Sequence, residues 1–178
     1  MKHREPRILA VEARYSRFGY ALFEGPARLL DWGASTVTPR LAHRAAVETA
    51  HKRIASVLRL SCPAAIVVKR PRRTRTGNAA NPGPVLKAII RSATTLQIPV
   101  HCLRREDVQE ALHSLLGRTK DEVAAALVDI FPELLARLPP QRKAWQSERH
   151  AMIVFDAIAT GFAYWRQNGT QDRARDEA

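Results

Sequence analysis

Ile8-Leu9-Ala10-Val11-Glu12, followed by Gly19-Tyr20-Ala21-Leu22-Phe23, decides how this chain is read. Two short apolar runs of strand length lie either side of Ser16, Arg17 and Gly19, which supply a turn. Glu24-Gly25-Pro26 marks a second turn, and Leu29 to Val37 reads as a third strand interrupted by Gly33. Three short strands joined by tight turns predict an antiparallel meander.

Downstream the period changes. Between Leu41 and Leu60, Ala46, Val47, Ala50, Ile54, Val57 and Leu58 recur at helical spacing, with Arg44, Glu48, Lys52 and Arg53 on the other side. Pro63 closes that helix. Ala64 to Val68 is a continuous apolar run, as a parallel strand buried on both faces requires. A helix starting near Pro84 is expected to turn Val85, Ile89, Ile90 and Leu96 inward. Ile98 to Leu103 reads as a fifth strand. Arg105 to Leu116 and Lys120 to Ile130 read as helices broken at Gly117, and prolines at 132, 139 and 140 bound a connector. Ser147 is expected to cap a last helix ending near Arg166. Residues 1–166 then form one domain and 167–178 a frayed polar tail. The order βββαβαβααα predicts an α/β fold: a mixed five-stranded sheet, three antiparallel strands then parallel ones, with helices on both faces.

Composition narrows the partners. The 178 residues carry 29 Lys+Arg against 17 Asp+Glu, a formal net charge of +12. Such an excess favours a polyanion, because Lys and Arg release counterions from phosphates. Cys62 and Cys102 stand alone in sequence, which argues against a disulfide framework or a zinc site. No run approaches the ~20 apolar residues of a membrane span, and Met1 to Arg7 does not lead into a signal-peptide core. A cytoplasmic, soluble protein is expected. Lys69, Arg70, Arg72, Arg73 and Arg75 crowd one loop that continues through Thr74, Thr76, Gly77, Asn78 and Asn81. Guanidinium forks suit phosphate oxygens, and small polar residues let a backbone approach. Lys87 and Arg91, one turn apart, would extend that patch. The bland alternative is a solvated basic loop. With few aromatics nearby, base stacking is not a prominent mode. Trp145 and Trp165 read as core or interface anchors rather than stacking platforms.

The element order is that of RNase H-like proteins, and the residues resemble the RuvC-type Holliday-junction resolvases. In that family an acid closes strand one and a Gly-Tyr or Gly-Trp pair opens strand two, as Glu12 and Gly19-Tyr20 do. Ile98-Pro99-Val100 before Arg105, Asp107 and Val108 resembles the fifth strand leading into the next helix. Gly117 with Thr119-Lys120-Asp121-Glu122-Val123 resembles a Gly-x-x-x-K stretch. Phe155-Asp156-Ala157-Ile158-Ala159 resembles the closing helix with its metal-binding Asp.

The resemblance implies two magnesium ions held by three or four converging carboxylates, and hydrolysis of a DNA phosphodiester. It implies Glu12 and Asp156 as catalytic metal ligands, DNA rather than RNA as partner, a role in DNA recombination, and a homodimer. Glu12 departs from the usual Asp; alternatively it is a strand-end acid paired with Arg14 or Arg17. Asp156 is either a site residue or an outward acid paired with Arg149. Lys69 stands where the second acid belongs, and no acid lies nearby. It either replaces a metal's charge between Glu12 and Asp156 or belongs to the basic loop. Ile153 occupies the place of the acid one turn before Asp156. Glu148 is then a catalytic substitute or a favourable charge in a first helical turn, and His150 a ligand or, more simply, a surface histidine. Three functions follow: a magnesium-dependent endonuclease on branched DNA, an inactive RuvC-fold nucleic-acid-binding module, or a protein-interaction module.

Overall fold

A computed structural model of the chain describes residues 5–14, 16–36, 43–70, 83–113, 119–140 and 151–176. The strands are β1 (Arg7–Ala13), β2 (Arg17–Glu24), β3 (Leu29–Thr36), β4 (Ala65–Lys69) and β5 (Val100–Leu103). The helices are α1 (His43–Ser61), α2 (Pro84–Thr95), α3 (Arg105–His113), α4 (Lys120–Ile130) and α5 (Met152–Asp176), with a 3-10 turn at Pro132–Arg137. The sheet order is β3-β2-β1-β4-β5. β1, β2 and β3 pair antiparallel, while β4 runs parallel to β1 and β5 parallel to β4. This is the expected mixed five-stranded RNase H-like sheet.

Strand alternation sorts the core into two layers. Ile8, Ala10, Ala21, Phe23, Ala65 and Val67 face α3, α4 and α5. Leu9, Val11, Phe18, Leu22, Ile66 and Val68 face α1 and α2. Central strands covered on both faces read as unbroken apolar runs, which is why Ile8–Val11 and Ala65–Val68 carry no polar residue.

α5 lies against β1 and β2 and is buried almost all round from Met152 to Ala163. A helix this apolar on every side needs partners on every side, and α3, α4 and the sheet supply them. The approach to the sheet is close. A Cβ on Gly161 would overlap the Phe23 ring and stand 3.0 Å from the Ala10 methyl. Phe23 is fully buried and packs edge-on against Phe131 at 5.8 Å.

Several details depart from expectation. Ile90 and Leu96 are 42% and 38% exposed, and Leu86, Ala88 and Ala93 take the inward positions with Val85 and Ile89. α2 packs against α1, and its buried side chains share one core layer with β1, β2 and β4. β5 begins at Val100, since the Ile98 amide is already spent closing the turn after α2 on the Ala93 carbonyl. The helix of α5 continues to Asp176 rather than ending near Arg166. No proline interrupts 167–176, and Asn168 Nδ2 donates back to the Tyr164 carbonyl at 3.0 Å. Trp165 packs against the α5 core layer as expected of an anchor. Gly117, Trp145, Ser147, Glu148, Arg149 and His150 lie outside the described residues.

Candidate nucleic-acid interface

The same alternation that orders the core places the site. Glu12 follows Ile8 and Ala10 on the α5 side of β1, and Lys69 follows Ala65 and Val67 on the α5 side of β4. The parallel register pairs Val11 with Val68, so Glu12 and Lys69 come side by side at the strand ends. Their ion pair is 2.8 Å long, with both side chains 13% exposed. Across β1, the antiparallel partner of Glu12 is Gly19. A Cβ at Gly19 would overlap the Ile153 carbonyl oxygen and lie 2.7 Å from its carbon. The missing side chain lets the first turn of α5 sit on the sheet beside Glu12. Asp156, one turn later, is thereby carried to the same pocket.

Asp156 is 12% exposed and holds two cations on one oxygen: the Arg14 guanidinium at 2.8 Å and the Lys120 ammonium at 2.9 Å. Burial alone would raise its pKa. The charges of Lys69, Lys120 and Arg14, with the Lys120 hydrogen bond, outweigh burial and hold the carboxyl below its ordinary 3.8. Lys69 thus acts on both carboxylates. Three basic side chains surround two acids.

That shift has a measurable sign. A carboxylate with a depressed folded pKa contributes stability above its unfolded pKa, and the contribution disappears as pH falls through the folded value. The stability advantage of the native protein over Asp156→Asn should therefore be constant near neutral pH and shrink below about 3.8. Urea unfolding of both proteins between pH 2 and 7 checks this. An advantage that persists unchanged at the acid end would contradict it.

Magnesium prefers an octahedron of oxygens and keeps several waters, anchored by carboxylates. Here an ammonium contacts Glu12, and an ammonium and a guanidinium share Asp156. Among the described residues no three acidic, histidine or cysteine side chains gather as a metal would need. The donor set does not fit the two-metal chemistry that the sequence resemblance implies.

Of the expected site residues, Glu12, Lys69 and Asp156 converge. Arg70 follows Lys69 at the strand end, where its amide donates to the Leu103 carbonyl at 2.8 Å. Lys87 and Arg91 do not join them: α2 lies on the opposite face with α1, and Arg91 faces Glu48 at 3.6 Å. Arg72, Arg73, Arg75 and Glu148 lie outside the described residues. The sequence reading did not assign Arg14 and Lys120 to Asp156. They reach it across 142 and 36 residues, a pairing that no local pattern encodes. Of the two, only Lys120 lies in a stretch that resembles a family motif.

Beside Asp156 a cleft of about 270 Å³ opens between α3, α4 and α5. Thr119 caps α4 there by accepting from the Glu122 amide, while Glu122 accepts from the Thr119 amide, which fixes where Lys120 starts.

The architecture has known counterparts. The RuvC of Thermus thermophilus, in complex with a Holliday junction, superposes with a TM-score of 0.68 at 21% identity, over 92% of this chain and 97% of that one. The fold is of the RuvC type. The yeast mitochondrial Holliday junction resolvase gives a TM-score of 0.60 at 14% identity, covering 93% and 82% of the two chains. Fowlpox virus resolvase, also solved with Holliday junction DNA, gives 0.51 at 11%, covering 90% and 97%. No family model matches the sequence, and no curated protein matches it. At these identities the RuvC likeness describes the fold. No helix among the described residues is long and apolar enough to cross a membrane.

Proposed function

We propose that this protein is a RuvC-fold module that binds branched or otherwise structured DNA without cutting it. The observation that carries the reading is the cationic filling of the acid pocket. Lys69 occupies the place of a metal-binding acid and neutralises Glu12, while Arg14 and Lys120 neutralise Asp156. Glu12 and Asp156 then serve to position basic groups rather than metal ions. The solved neighbours that hold a four-way junction support DNA as the polymer, and the net charge of +12 supports a polyanion. The sequence run Arg72, Arg73 and Arg75 adds basic charge that suits further phosphate contacts. A homodimer, which would present two such surfaces to a branched substrate, belongs to the same proposal.

Fluorescence anisotropy with a labelled four-way junction and a matched duplex tests it. Binding should be equal in EDTA and in magnesium, and should weaken by orders of magnitude between 50 and 200 mM salt. Replacing Arg72, Arg73 and Arg75 together by Ala should reduce the salt slope by about three. Junction cleavage that appears with magnesium or manganese and stops in EDTA would restore the nuclease reading. Affinity insensitive to salt would point instead to a protein partner.

A further inference from the structure

The cleft beside Asp156 carries one cation that the ion-pair network does not use. Lys69 is engaged with Glu12, and Lys120 with Asp156. Arg105, at the start of α3, also lines the cleft, and among the described residues its guanidinium has no ion-pair or hydrogen-bond partner. A half-buried arginine without an acid of its own marks a place for an anion from outside.

Next to it the cleft is apolar. Val108 and Leu112 of α3, Val123 of α4, and Met152 and Phe155 of α5 form the floor. Arg105, Val108 and Leu112 recur at i, i+3 and i+7, so the charge and the apolar surface lie in line along one face of α3. At about 270 Å³ the space falls below the ~300–1,000 Å³ of pockets that enclose a whole small molecule. It suits one large side chain of a bigger partner. Gln109 and His113 stand exposed at the same cleft and can hydrogen-bond a passing main chain.

Charge and spacing together select an occupant. One guanidinium fork matches one carboxylate, bidentate. An extended peptide puts residues two apart on one side, about 6.6 Å from each other. Along the α3 axis Val108 lies about 4.5 Å and Leu112 about 10.5 Å from Arg105, so that spacing carries an acid to Arg105 and an apolar side chain to the floor at once. We infer that the cleft docks a short extended segment of a protein partner, with a carboxylate two residues from a large apolar side chain. The carboxylate rests on Arg105 and the apolar side chain on Val108, Leu112 and Phe155. Such docking goes beyond DNA binding and does not require it, and the junction assay above tests the DNA reading by itself.

The probe is a capped peptide, acetyl-Ser-Asp-Gly-Leu-Ser-amide, with two controls that carry Asn for the acid or Ala for the leucine. Met1 and Met152 are the chain's two methionines, and Met152 lines the cleft, so its methyl group reports occupancy by NMR. The acid-leucine peptide should shift the Met152 methyl signal saturably. Each control should bind about tenfold more weakly, as expected for loss of one charged hydrogen-bonded contact or one buried leucine. In Arg105→Gln the Asp and Asn peptides should bind alike. No shift of the Met152 signal at millimolar peptide overturns the docking site. Equal affinity of the native protein for the Asp and Asn peptides overturns it too, as does an acid preference that survives Arg105→Gln. Adenosine monophosphate in the same titration covers the other polymer: saturation of the Met152 shift at a lower concentration than the peptide needs would assign the cleft to a nucleotide and overturn the peptide. The three peptides on the native protein decide even if Arg105→Gln fails to fold.

Discussion

Lys69→Met should destabilise the protein by about 3 kcal/mol at neutral pH, because it strands the Glu12 carboxylate at a site where that side chain is 13% exposed. Methionine keeps the aliphatic stem, so packing changes little and the loss is chiefly electrostatic. Breaking one partner of a buried pair costs about 3–5 kcal/mol, and the small residual exposure places this pair at the lower end. Adding Glu12→Gln to Lys69→Met should recover more than half of the loss, since the stranded charge is then gone. Urea unfolding of the four proteins of this cycle supplies the coupling energy. A single variant within about 0.5 kcal/mol of the native protein, or a double variant no better than the single, would show that Glu12 and Lys69 are solvated neighbours rather than a coupled pair.

Gly19→Ala is the second large effect, and it acts through the backbone. The added methyl would overlap the Ile153 carbonyl oxygen, a main-chain atom of α5 that cannot rotate away. Either β2 bends or the first turn of α5 lifts from the sheet, and Ile153, Phe155 and Ala157 in that stretch are fully buried. Overpacking of this kind costs about 1–3 kcal/mol, and a backbone obstruction belongs at the upper limit. The local damage is specific. Lifting α5 moves Asp156 away from Arg14 and Lys120, so the depressed carboxyl pKa should rise towards the ordinary range as stability falls. Thermal unfolding together with a carboxyl titration by NMR reads both. Full stability with an unchanged Asp156 titration would mean that the contact yields cheaply and does not set the position of the helix.

Most of the sheet was legible because each strand declares itself within a few residues. The runs at Ile8–Val11 and Ala65–Val68 are apolar without interruption, as strands covered on both faces must be. α4 spans Lys120 to Ile130 as expected, and the structure adds the Thr119–Glu122 capping box that fixes its start. The structure pairs Lys69 with Glu12, and Lys69 could be set against Glu12 because the family resemblance puts an acid where Lys69 stands. The rest of the network could not. Arg14 sits just past the end of β1 and Lys120 opens α4, and each meets Asp156 only after the sheet and α5 have assembled. Of the residues expected inward on α2, Val85 and Ile89 are buried, whereas Ile90 and the C-cap Leu96 are exposed and Ala88 and Ala93 are buried instead.

The position of α5 in the chain also bears on how the molecule comes into being. A ribosome delivers β1 and β2 early and α5 late, yet α5 is what covers Ile8, Ala10, Ala21 and Phe23. Until residues beyond Met152 have emerged, one side of the sheet is a sticky, water-exposed surface in the nascent polypeptide. Any pause in translation before that point leaves the growing chain prone to aggregation, and synonymous codons ahead of Met152 become a variable in the yield of native protein.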